Sequence, residues 1–202
     1  AIIVAGAGLA LIAVTIVGGA VRLSRAEASD TDTVIRIVQA NIEQQAKWTP
    51  ENFAAIVDSY LDLTAGPASA LGRPDVVIWP EGALPTTFND IVDPRSWVAP
   101  AMAEALEEGQ VLIVGLSRAY DRGDGQASYG NSAFDLPDLP RVQPLICYES
   151  LFPGMTPDGA ERPAWIVNPS NDAWYGATSG PVQNFNLSAY RAIEEGLPMA
   201  RA

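Results

Sequence analysis

The chain has 202 residues, 48% of them hydrophobic and 18% charged, which is too apolar for a disordered polymer and long enough for one globular domain. It has no histidine and one cysteine, which excludes Ser-His-Asp and Cys-His catalysis, histidine and four-cysteine metal sites and an intrachain disulfide. Twelve basic against 24 acidic side chains leave a net charge of -12, a sign that repels phosphate backbones and argues against a nucleic-acid partner.

Residues 1–21 carry no charged side chain; the first is Arg22. As a helix rising about 1.5 Å per residue this run spans roughly 30 Å, the hydrocarbon thickness of a bilayer. Residues 1–23 are therefore expected to form a transmembrane helix. The competing readings are a buried core helix and a secretory signal peptide, but a signal peptide opens with methionine and a basic stretch and has a shorter apolar run. Gly6, Gly8, Gly18 and Gly19 would let a second helix approach closely, so the span is expected to pack against others, within a longer chain than the one seen here. Arg22 and Arg25 favour a cytoplasmic side for its end, yet Glu27, Asp30 and Asp32 follow at once. Residues 24–33 are small and polar and read as a linker.

From residue 34 onward strand-like and helix-like segments alternate. Residues 34–38 form a β-branched strand. Thr49 and Pro50 then signal a helix start, with Phe53, Ile56, Val57, Tyr60 and Leu61 on one stripe. Residues 75–79 (DVVIW) are a continuous apolar strand of the kind buried on both faces. Pro94 signals a second helix over 94–108, stopped by Gly109. Residues 111–116, 129–134, 142–146 and 164–167 read as further strands, and 181–195 as a helix stopped by Gly196. Such alternation predicts a layered α/β domain over 34–202.

Chemistry belongs where buried strands end, because the strand end sets polar groups at the rim of an apolar sheet. Three ends stand out. IWPEGALP delivers Glu81; PLICYES delivers Cys147, Tyr148 and Glu149; NPSNDAWYG brings Asn168, Asn171, Asp172 and Trp174. Each alone has an ordinary explanation: a buried cysteine, a helix-start charge, an Asn-Asp turn.

Together and in that order they resemble the nitrilase superfamily, whose sites use a Glu-Lys-Cys triad. QANIEQQAKW at 39–48, ICYE, SNDAWYG and the closing NFNLSAYRAIEEGLPM at 184–199 resemble, within it, the apolipoprotein N-acyltransferases. The resemblance covers essentially all of 34–202. It implies an αββα sandwich preceded by a transmembrane helix, in a bacterial inner membrane with the catalytic domain facing the periplasm. It makes Cys147 the nucleophile and Glu81 the general base, with Trp48, Tyr148 and Glu149 near the substrate. The implied reaction moves an acyl chain from a phospholipid to the terminal amine of a diacylglyceryl lipoprotein through a thioester. No metal and no organic cofactor is implied.

The residues are compatible with those roles. A free thiol is only a few per cent ionised at neutral pH and needs a base or a cation beside it. Glu81 can take the proton if burial disfavours its charge. Glu149 would disfavour a thiolate, which makes a compensating cation desirable. The departure is the lysine. The resemblance places it between Glu81 and Cys147, where this chain has none, and Lys47 beside Trp48 reads as a snorkelling surface side chain. Taken literally, such a chain should be nearly inactive. The junction near 133–136, with DLP repeated and no recognisable turn, is accordingly expected to hide an omitted lysine-bearing loop. Two alternatives stand beside the acyltransferase: a membrane-anchored nitrilase-type amidase acting on a small amide or nitrile, and an inactive relative that binds lipid or lipoprotein.

Overall fold

A computed structural model describes residues 2–25, 30–117 and 132–202, in two compact units, 1–32 and 33–202. The first holds helix α1 (Ile2–Arg25), which over Ile3–Arg25 is long and apolar enough to cross a membrane. Its two hydroxyls are satisfied by the helix itself, Thr15 Oγ donating to the Ile12 carbonyl at 2.8 Å and Ser24 Oγ to the Val21 carbonyl at 2.9 Å, as an apolar surrounding requires.

The second unit begins with β1 (Ile35–Ile37), α2 (Gln44–Lys47) and a 3-10 turn (Pro50–Asn52) that runs into α3 (Phe53–Thr64). Then come β2 (Val76–Glu81), α4 (Phe88–Ile91), α5 (Val98–Glu104) and β3 (Val111–Gly115), followed by β4 (Phe134–Leu136), β5 (Leu139–Pro144), β6 (Trp165–Asn168), α6 (Gly180–Glu195) and β7 (Met199–Arg201). Strands β1, β2 and β3 pair in parallel, in that order. The second sheet runs β4-β5-β6-β7, antiparallel at β4/β5 and parallel thereafter.

Strand alternation assembles the layers. Val76 and Ile78 on one face of β2 pack with Val142, Trp165 and Val167 of the other sheet. Val77 and Trp79 on the opposite face meet Ile56, Val57 and Tyr60 of α3 and Val98 of α5. Each such side chain contributes about 1.5–3 kcal/mol by leaving water. Helix α6 covers the outer side of the second sheet, where Ser188 donates to Asn168 Oδ1 and Arg191 holds the Ser150 and Leu151 carbonyls. The order is helix, sheet, sheet, helix: the αββα arrangement expected.

Several local expectations are corrected. Thr49 makes no capping bond, and α3 begins only after the 3-10 turn. Pro94 does not open a helix: Asp93 Oδ1 accepts from the Arg95 amide at 2.8 Å, a side-chain turn that outcompetes the helical ladder, and α5 starts at Val98. Strand β7 and the short α4, whose Thr87 and Asp90 close a capping box, were not expected. The junction expected to lack a turn is a hairpin, with Phe134 opposite Val142 and Leu136 opposite Leu139 around Asp138 at φ 55°. Of the strand expected over 129–134, residues 129–131 lie outside the described residues.

Candidate active site

Two strand ends and one helix converge here. At the end of β2, Pro80 has no amide proton to continue the ladder, and the register against β3 slips between Trp79 and Glu81. Gly115 makes that slip possible, since a Cβ there would lie 2.6 Å from Glu81 Cα. The slip leaves Glu81 Oε2 buried and without a hydrogen-bond partner.

Beyond β5, Cys147 takes a left-handed backbone conformation, φ 47°, which costs a non-glycine residue on the order of 1–3 kcal/mol. Four bonds hold it. Its amide donates to the Pro169 carbonyl at 2.7 Å, and the Ile146 amide donates to Glu149 Oε2 at 2.8 Å. Asn168 Nδ2 donates to the Leu145 carbonyl at 2.5 Å and to the Cys147 carbonyl at 3.1 Å. Asn168 is itself fixed through Oδ1, which accepts from Ser188 and, at 2.5 Å, from Arg201 Nη1. Arg201 Nη2 reaches both oxygens of Asp172, at 2.9 and 2.7 Å.

Burial pushes the Cys147 thiol up; the Glu81 carboxylate, by its charge and by accepting the thiol's hydrogen bond, pushes the same way, while Ser170 and the Asn171 amide oppose it. These influences favour the protonated thiol at rest, with Glu81 near enough to take its proton as sulfur attacks.

Lys47 corrects the expectation of a surface side chain. It is 5% exposed, and its Nζ donates to the Gly82 carbonyl at 2.7 Å. Burial lowers its basicity and the Glu81 charge partly restores it. Lys47, Glu81 and Asn171 line two cavities in common. The larger, about 760 Å³, is also walled by Trp48, Glu149 and Trp174; the smaller, about 490 Å³, by Tyr60, Ser170 and Arg201. Of the expected site residues, Glu81, Trp48 and Glu149 share the larger cavity, while Cys147 lies between two of its wall residues, Ile146 and Glu149, without itself forming part of either wall. Tyr148 packs edge-on against Phe152 at 6.2 Å and lies outside the walls of both cavities. Sequence reasoning missed Lys47, Arg201 and Ser188. No local signal marks Arg201 or Ser188, whereas a lone lysine in an acidic chain was a usable hint.

Residues 122–202 match the carbon-nitrogen hydrolase family. The chain is 38% identical to an apolipoprotein N-acyltransferase of Caulobacter vibrioides, over 91% of this chain and 45% of that protein. It is 34% identical to those of Allorhizobium ampelinum and Brucella suis, over 96% and 98% of this chain and 48% of each of them. The chain therefore spans about half the length of the curated relatives it matches. The alignment with the Caulobacter protein runs over 243 residues, more than this chain possesses, so that relative carries residues inside the aligned span with no counterpart here.

Proposed function

Because the chain belongs with the carbon-nitrogen hydrolases and, among them, with the apolipoprotein N-acyltransferases, we propose that it is the catalytic portion of an enzyme that carries an acyl chain from a phospholipid to a lipoprotein amine. Cys147 Sγ attacks an ester carbonyl of the donor. A carbon–sulfur bond forms, the thiol proton passes to Glu81, and collapse breaks the carbon–oxygen bond as Glu81 protonates the departing lysophospholipid alkoxide. In the second half the free amine of the diacylglyceryl cysteine attacks the thioester. The amide bond forms, the carbon–sulfur bond breaks, and the amine's proton returns through Glu81 to sulfur.

The observation that carries this reading is Cys147 in a strained backbone position, close enough to Glu81 for the carboxylate to raise its thiol's pKa, beside a cavity walled by Glu81, Trp48 and Trp174. Trp48 and Trp174 are exposed aromatic faces suited to an acyl chain and its ester. Tyr148, half exposed on the same turn, is assigned to the acceptor's approach. Glu149 has one oxygen committed to the Ile146 amide, so it shapes the nucleophile's turn as well as the cavity wall. A bilayer-anchored enzyme suits substrates whose chains stay in the bilayer; the catalytic unit is assigned to the periplasmic side.

The test is intact-mass analysis of the full chain in detergent after mixing with a phospholipid of one defined acyl chain. One acyl mass is expected on the Cys147 peptide, none in Cys147→Ala, and acylation in Glu81→Gln slowed about 100-fold or more, the scale of a lost general base. An adduct that persists in Cys147→Ala, or a Glu81→Gln rate equal to wild type, refutes the assignment.

A further inference from the structure

The chain's single lysine is one of its most buried charged groups, and the two-residue mechanism above leaves it without a task. A buried ammonium costs several kcal/mol unless charge and hydrogen bonds compensate it. Lys47 has one neutral acceptor, the Gly82 carbonyl, and faces the Glu81 charge. Glu81 Oε2 in turn is buried and has no hydrogen-bond partner. The two half-compensated groups stand in the walls of the same two cavities.

We propose that Lys47 is the positioning residue of the Glu81–Cys147 pair: it holds the turn that aims Glu81 through the Gly82 carbonyl, and its charge offsets the negative charge that builds on the pair. The assignment rests on the acyltransferase reading for its purpose, but its physics concerns only the thiol and the carboxylate. Glu81 is followed by Gly82 at φ 57°, a turn that would swing freely at a strand end. A bond of 2.7 Å from a helix outside the sheet pins it. The charge acts next. Once sulfur ionises or an oxyanion forms, the pocket holds a second negative centre, and a cation within the same low-dielectric volume favours that state over the resting one. The lysine that the resemblance places between Glu81 and Cys147 is absent, and Lys47 reaches the pair from the opposite direction along the chain. Convergent triads show that chain order does not govern such roles.

The experiment compares wild type, Lys47→Gln and Lys47→Arg as full chains in detergent. It reads Cys147 alkylation by iodoacetamide from pH 6 to 10, together with thermal melting and acylation by the defined phospholipid. Lys47→Gln retains a donor for Gly82 without the charge, and its alkylation profile is expected to move about one unit upward, a roughly tenfold loss of rate at neutral pH. Lys47→Arg is expected to stay within about threefold of wild type, since the charge is kept. A merely structural lysine would lower the melting temperature in Lys47→Gln and leave the profile in place; that result overturns the proposal, as does an equal upward shift in Lys47→Arg. If Lys47→Gln does not fold, the double variant Lys47→Met/Glu81→Gln is read against Glu81→Gln alone, since replacing both members of a buried pair is tolerated where removing one is not, and an alkylation profile identical in the two overturns the proposal. Alkylation needs no lipid, so a shifted profile together with a wild type that never acylates would sustain Lys47 and defeat the acyltransferase reading.

Discussion

Asn168 carries more of the nucleophile's geometry than any residue of the triad pattern. It is fully buried, it donates to two carbonyls on the Cys147 side, and it accepts from Ser188 and Arg201 on the other. Asn168→Ala would orphan several of these groups at once, at about 1–3 kcal/mol for each buried polar group left unpaired. A drop of that size in urea stability is expected, with slower acylation of the surviving fold; an unchanged urea midpoint would show that water replaces the side chain. Tyr60 gives a prediction in pH. Burial raises its phenol to about 12 against an ordinary value of 10.0. The stability from keeping it neutral is fully present below about 10 and is lost as pH rises through 12, a contribution of roughly 2–3 kcal/mol. Tyr60→Phe should therefore flatten alkaline unfolding between pH 10 and 12, and an identical alkaline limb in both proteins would exclude Tyr60 as its source. At this scale the positions of Cys147 and Glu81 at strand ends were legible in the sequence, because apolar strands lead straight into them. The burial of Lys47 was not, since it depends on a carbonyl 35 positions away in the chain.

Among the elements, β2 and β6 could be read from the residues because burial on both faces demands continuous apolar runs, whereas β3 carries such a run although its side chains are only partly buried. Strand β7, three residues long, has no periodicity to detect, and its place in the sheet comes from parallel pairing with β6. Helix α5 was placed too early because Pro94 is equally at home in the Asp93 turn. The slip between β2 and β3 could not be seen either, though Gly115 was in plain view. Its missing side chain is what lets the Glu81 backbone sit against β3, and the obstacle to any larger residue is backbone, which cannot rotate away. Gly115→Ala should cost about 1–3 kcal/mol as an overpacked contact and displace Glu81. Acylation should then fall further than the loss of folded protein explains. A variant with wild-type rate and stability would mean that the slip is not needed to aim the carboxylate.

For the molecule as a whole, every buried hydrophobic residue of the two core clusters lies in 33–202, and helix α1 supplies none. Deleting residues 1–32 should therefore leave thermal melting and Cys147 alkylation unchanged, while moving the protein from the membrane fraction to the soluble one. A melting temperature lowered by more than a few degrees would reveal that α1 supports the domain. Orientation can be read on the intact protein: protease added to spheroplasts should cut the acidic unit, and cleavage only in inverted vesicles would place it in the cytoplasm.

The clamp formed by Arg201 has a consequence in time. A ribosome delivers the strand ends in order, first Glu81, then Cys147, then Asp172, and Arg201 after all of them. Until β7 has emerged and paired with β6, Asp172 lacks its bidentate partner and Asn168 lacks one of the two donors that fix its carboxamide. A nascent chain arrested before Met199 would carry the thiol and the carboxylate but not the lock that sets the angle between them. The geometry of the thiol is thereby completed only once β7 has been made and has taken its place beside β6.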